Sequence, residues 1–220
     1  MGLISKAITL ILSFLLFISL ILGALSFTIY SSLEYNEVEK NAAPFVENFL
    51  RESLKKSPST TDKILDTVLS IDWVQKIPFT DTLKQALTEK LKSEEIDNIS
   101  LEQESKKFIQ EMYYAEYDCD YWNCFNLSET PFFLVSQKSQ LYWYKNLKYI
   151  GIISLVLIAL LFLFVGNKKN FFVLMGILSL LSSLPIWGIR KIISIFSKGD
   201  ILNFVNIIFS KSNYVATILT

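Results

Sequence analysis

Two cysteines and the acids beside them are the residues whose types and spacing first suggest chemistry. The run Asp118-Cys119-Asp120-Tyr121-Trp122-Asn123-Cys124 puts two thiols five positions apart, with a carboxylate on either side of the first. Structural zinc takes four Cys or His ligands, and the chain holds two Cys and no His, so a disulfide closing a four-residue loop is the simpler reading of Cys119 and Cys124. The absence of His also removes the side chain best suited to proton transfer near neutral pH. Asp118 and Asp120 are acids on a polar segment, where carboxylates are ordinarily just solvated. No nucleophile–base pair, metal set or phosphate-cradling loop accompanies them. The expectation is a protein that is not an enzyme, takes no cofactor or metal and binds no nucleic acid.

Around the cysteines the aromatic density is high: Tyr113, Tyr114, Tyr117, Tyr121, Trp122 and Phe125, with Phe132 and Phe133 following. Tyr and Trp offer large, stiff, amphipathic contact area and are enriched at interfaces, so these six are the candidate interaction surface. Two other placements suit the same residues: the core of a small domain stapled by the disulfide, or an aromatic belt at the lipid interface. Tyr142, Trp143, Tyr144 and Tyr149, just before an apolar run, suit the belt better. Asn98-Ile99-Ser100 and Asn126-Leu127-Ser128 are sequons, making Asn98 and Asn126 candidate glycosylation sites.

The elements that must carry these residues are set by three uncharged blocks. Residues 7–30, 149–166 and 171–189 contain no Asp, Glu, Lys or Arg. At about 1.5 Å of rise per residue, roughly 20 residues cross the ~30 Å hydrocarbon layer, so the first block spans comfortably and the others are just long enough. The zero net charge conceals a split. Residues 31–148 carry 20 acids against 14 bases, a net of −6, and the rest of the chain carries one acid against seven bases. The reading is an all-α membrane protein with two to three transmembrane helices and a helical extracytoplasmic domain, residues 31–148, inserted between the first and second spans. Lys6 before the first span, and Lys168 with Lys169 in the short loop between the second and third, belong in the cytoplasm by the positive-inside rule. The first span would be a signal anchor. Ala24 and Ser26 would also suit a cleavage site, but the apolar run far exceeds a signal core of about 7–15 residues.

Within the outer segment, apolar periodicity predicts a helix from Glu34 to Lys56 with Pro44 as a kink or break. Short helices follow, one opening at Thr60 or Thr61 and one at Thr80 or Asp81. The Ser100-Leu101-Glu102-Gln103 capping box starts another, reaching about Tyr117. From Ser128 nothing breaks a helix before Gly166, which predicts one rod entering the bilayer. Ser19 and Gly23, like Ala24 and Thr28, form small-xxx-small pairs for helix packing. The tail, residues 190–220, reads as an interfacial or partly inserted amphipathic helix. Asn203, Asn206, Ser210 and Asn213 form its polar stripe, and residues 186–198 form an interfacial turn leading into it.

Function is expected in the outer domain. A scaffold or adaptor binding a protein or envelope component comes first, and a sensor or accessory subunit of a transporter signalling through the long helix is the alternative. The partners are the bilayer and a protein or a second copy. The expected location is the cell membrane, multi-pass.

Overall fold

The computed structural model describes residues 3–56, 98–127, 131–166, 168–196 and 206–219. Among them no residue is in a strand. The helices are α1 (Leu3–Ser32), α2 (Tyr35–Lys56), α3 (Asn98–Tyr114), α4 (Tyr121–Leu127), α5 (Gln137–Phe164), α6 (Lys168–Phe196) and α7 (Ser212–Leu219), with a 3-10 turn at Pro131–Val135. The helices expected from Thr60 or Thr61, from Thr80 or Asp81 and from Ser128 begin outside the described residues. The chain divides into two units, Met1–Ser32 with Leu141–Lys198 and Phe209–Thr220, and Leu33–Gln140 with Gly199–Ile208.

In the first unit, three helices are long and apolar enough to cross a membrane: Ser5–Ser32, Gln137–Phe164 and Lys168–Ile186. Away from their charged ends, much of their exposed surface is hydrocarbon. Leu10 and Phe14 on α1, Leu155 and Leu163 on α5, and Phe172 and Leu184 on α6 all stand open. Water would oppose so large an apolar surface, whereas lipid would not. These are the helices of a membrane protein.

Two clusters hold this unit together. Leu16, Leu161, Phe171 and Leu178 join α1, α5 and α6, and Ala24, Ile186 and Ala216 join α1, α6 and α7. Three of the hydroxyls buried in this unit are satisfied along their own helices. Thr28 donates to the Ala24 carbonyl at 2.8 Å, Ser182 to Ser179 at 2.8 Å and Ser183 to Leu180 at 2.8 Å. Such back-bonding lets a hydroxyl sit in lipid without an orphaned donor.

The second unit is built on α2 and α3. Val38, Ala42 and Val46, four residues apart on α2, are buried, as are Phe108, Ile109, Met112 and Tyr113 on α3. The Glu34 carbonyl starts α2 by accepting from the amides of Glu37 and Val38, each at 2.9 Å. Pro44 does not break this helix. It lacks an amide for the Lys40 carbonyl, and α2 runs through it to Lys56.

Other boundaries differ from the sequence reading. α3 begins at Asn98, so Ser100 lies inside the helix rather than capping it, and Glu102 pairs with Lys106 one turn on at 2.8 Å. That pairing holds the Glu102 carboxyl below its ordinary pKa and the Lys106 ammonium above its own. α3 stops at Tyr114. The long rod starts at Gln137, because Ser136 caps it. The Ser139 amide donates to Ser136 Oγ at 3.3 Å, and the Gln140 amide to the Ser136 carbonyl at 3.1 Å.

At the other end of the first unit, α6 passes through Pro185 and continues to Phe196, so helix stands where an interfacial turn was expected over the described residues 186–196. The tail is not one striped helix. A turn at 209–211 interrupts it, closed by the Ser212 amide on the Phe209 carbonyl at 3.1 Å, and the Lys211 amide donates to Ser32 Oγ at 3.1 Å. Asn206 and Asn213 therefore lie on separate helical pieces, and Asn203 lies outside the described residues.

Candidate interaction surface beside the disulfide

Tyr113 and Tyr114 close α3, and one helical step, about 100°, separates their fates. Tyr113 is 2% exposed and Tyr114 is 48% exposed. Burial of Tyr113 brings its hydroxyl 2.8 Å from the Leu33 carbonyl and 2.9 Å from Gln140 Oε1. The hydroxyl has one proton, which it donates to the carbonyl. The second bond is made when the Gln140 amide is turned so that its NH2 donates. Tyr35, at the start of α2, completes an aromatic trio: its ring centre is 5.4 Å from Tyr113 and 5.6 Å from Tyr114. Burial, and a hydrogen bond to the Glu39 carboxylate, push the Tyr35 phenol up to about 12.

Beyond α3 the chain turns through residues 115–120 into α4. Cys119 and Cys124 are disulfide-bonded, with Cα atoms 5.4 Å apart, inside the range a disulfide requires. The Cys124 amide bonds to the Asp120 carbonyl at 2.7 Å, which places Asp120 at the N-cap of α4. Cys124 is 2% exposed. Tyr117 and Tyr121 both lean on the fully buried Phe133, each at 5.3 Å between ring centres. Burial pushes the Tyr117 phenol up to about 12.

Lys138, in the first turn of α5, reaches back into this loop. Its ammonium donates to the carbonyls of Tyr117 and Cys119. Charge-assisted bonds of this kind are about twice as strong as neutral ones, and here they satisfy two carbonyls that no regular element covers. The disulfide closes the loop covalently at one side, and Lys138 fastens it at the other.

The six candidate aromatics therefore divide. Tyr113 belongs to the core, while Tyr117 and Tyr121 pack at its edge. Tyr114 and Trp122 face outward, Trp122 at 61% exposure with its ring edge-on to Tyr121. The Phe125 side chain lies outside the described residues. Glu116, Asp118 and Asp120 are exposed beside them, and no Lys or Arg occurs between Lys107 and Lys138. Among the described residues, no group of three or more His, Cys, Asp or Glu side chains is placed to hold a metal.

Of the remaining candidates, Asn98 opens α3 and Asn126 stands near the end of α4. Ser19 and Gly23 pack against α5: Ser19 shares a 2.8 Å hydrogen bond with Ser154, and a Cβ on Gly23 would sit 3.4 Å from Ile150 Cγ2. In the intended belt, Tyr144 stacks on Tyr30 at 5.3 Å, and Lys148 Nζ lies 4.4 Å over the Tyr144 ring.

Lys138, Gln140 and Tyr35 were not singled out from sequence. Tyr35 follows the first apolar block, where a tyrosine reads as a belt residue, and the partners of Lys138 are carbonyls. No family model, no curated protein and no solved structure matches the chain.

Proposed function

We propose that the chain is a membrane-anchored scaffold or adaptor whose helical domain, residues 31–148, lies outside the cytoplasm and binds a protein or envelope component. The observation that carries this reading is the exposure of Trp122, inside the loop fixed by the Cys119–Cys124 disulfide and by Lys138, and of Tyr114 at the end of α3. Rigid aromatics held before binding lose little conformational freedom on contact, which is what an anchor residue needs. Placement outside rests on the positive-inside rule and suits a disulfide, since oxidising compartments preserve it. The domain acts by binding and carries out no catalysis.

Two measurements test the proposal. In intact cells, a membrane-impermeant maleimide should label Cys119 and Cys124 only after mild external reduction. Labelling that appears only after lysis would place the domain in the cytoplasm. For binding, a photo-crosslinking amino acid at Trp122 or Tyr114 should trap one discrete adduct, and the same probe at exposed Lys107 should not. Identical patterns from all three positions would remove the surface from consideration.

The second reading, a sensor or accessory subunit, draws on the continuity of α5 from Gln137 to Phe164. A rigid helix transmits rotation where a flexible joint does not. Two glycines inserted after Gln140 should then abolish output while leaving the Trp122 crosslink intact; loss of neither output nor crosslink would exclude transmission.

A further inference from the structure

From Tyr114 to Trp122 exposure alternates residue by residue. Tyr114, Glu116, Asp118, Asp120 and Trp122 are exposed, while Ala115, Tyr117, Cys119 and Tyr121 between them are half-buried. A period of two is what a chain drawn out between two helices shows when one side of it is packed. Here the packed side is held in three ways. Tyr117 and Tyr121 rest on the Phe133 ring, Cys119 is fixed by its disulfide, and Lys138 holds the carbonyls of Tyr117 and Cys119. The other side therefore presents three carboxylates in succession, with an aromatic ring before and after them.

Charge restricts what this side can meet. Between Lys107 and Lys138 the chain has five acids and no base. Among the described residues no ion pair joins Glu116, Asp118 or Asp120 to a lysine or arginine, and the Lys138 ammonium is taken up by two backbone carbonyls. Its single charge offsets only one of the three carboxylates, so an excess of negative charge faces outward. A small cation would answer the charge but make no use of the rings. Arginine answers both: its planar guanidinium pairs with a carboxylate through two hydrogen bonds and stacks on an aromatic face.

We propose that the face from Tyr114 to Trp122 binds an arginine-rich segment of a partner protein, with guanidinium groups on Asp118 and Asp120 and one stacked on Trp122. The inference rests on the reading of this loop as a docking surface and adds the chemistry of what docks.

Fluorescence anisotropy of a labelled peptide of alternating Arg and Gly, titrated with the full chain in non-ionic detergent, tests it beside the same peptide with Glu for Arg. The arginine peptide should bind and the glutamate peptide should not, and raising salt from about 0.05 to 0.5 M should weaken binding roughly tenfold. Asp118→Asn with Asp120→Asn should also weaken it roughly tenfold, since Asn keeps the N-cap of α4 and only the two charges are lost. Glu102→Lys makes the same change in net charge about 18 Å along α3 from Tyr114, and should alter affinity by less than about twofold. Trp122→Ala, at an exposed position, should weaken binding roughly fivefold. Equal losses from Glu102→Lys and the Asn pair would reduce the effect to net charge and overturn the proposal, as would undiminished binding by the Asn pair. A discrete crosslink from Trp122 in isolated membranes that the arginine peptide does not compete away would sink this inference and leave the docking surface standing. Identical crosslinks from Trp122, Tyr114 and Lys107 would remove the docking surface itself.

Discussion

Replacing Tyr113 with Phe keeps the ring in place and removes only the hydroxyl that links Leu33 to Gln140. A neutral hydrogen bond contributes about 1 kcal/mol net, and a buried acceptor left without its donor costs a further ~1–3 kcal/mol. Leu33 is fully buried, so its carbonyl is poorly placed to find water as a substitute. The two effects together destabilise the domain by about 2–4 kcal/mol, a change of roughly 30- to 800-fold in its unfolding equilibrium. Tyr114→Phe is the control, since an exposed hydroxyl contributes within about 0.5 kcal/mol. The assay is urea unfolding of the full chain in detergent, followed by near-ultraviolet circular dichroism of the tyrosine cluster. Adding Gln140→Leu to Tyr113→Phe should recover part of the loss, because it removes one of the stranded partners, while the Leu33 carbonyl stays stranded. Equal stability of the Tyr113 and Tyr114 variants would refute the account of how α3 is anchored.

Other consequences are also measurable. Replacing Cys119 and Cys124 with Ser should lower the stability of the domain by about 2 kcal/mol, the loop-closure entropy of so short a ring, and the same urea titration reads it. Lys138→Met keeps the side-chain stem but strips two carbonyls of their donor, and should speed hydrogen exchange across residues 115–121 while leaving α2 unchanged. Tyr117 and Tyr35 have their pKa raised to about 12 from 10.0, so burial of the neutral phenols contributes stability that is intact below pH ~10. That stability should be lost as pH rises from 10 toward 12, and Tyr117→Phe should remove one late step from the phenolate absorbance at 295 nm. Ser19→Ala should cost about 0.6 kcal/mol, the usual worth of an interhelical hydrogen bond in a membrane, as read by unfolding in sodium dodecyl sulfate.

Much of the helical framework was legible because lipid imposes a coarse rule. A run without charge long enough to cross is visible residue by residue, and all three runs became helices. The pairing of Cys119 with Cys124 was equally plain, since the chain has no third thiol. Helix ends were less so. Ser100 had the letters of a capping box but lay inside a helix already begun, whereas Ser136 caps α5 without the Glu or Gln that would announce it three positions on. Tyr113 and Tyr114 carry the same letter at adjacent places, and only the stripe through Phe108, Ile109 and Met112 tells which one turns inward. Lys138 was hidden for a different reason. It is one lysine of many, and its partners are backbone carbonyls, which every residue possesses and no letter distinguishes.

The seat of α7 also bears on the order in which the membrane unit is made. The turn just before α7 is tied to the end of α1 by the Lys211 amide on Ser32 Oγ, a bond between residues 179 positions apart in the chain. At about 5–20 residues per second, synthesis of the intervening stretch takes roughly 10–40 s. Throughout that interval the side of α1 that α7 will cover is open: Ile186 of α6 can reach Ala24 earlier, but Ala216 completes the cluster last. Lipid or the insertion machinery must occupy that face and then leave it. The small residues that let α7 sit close are thus exposed to competing helices for many seconds, and correct assembly depends on how weakly the temporary occupant is held.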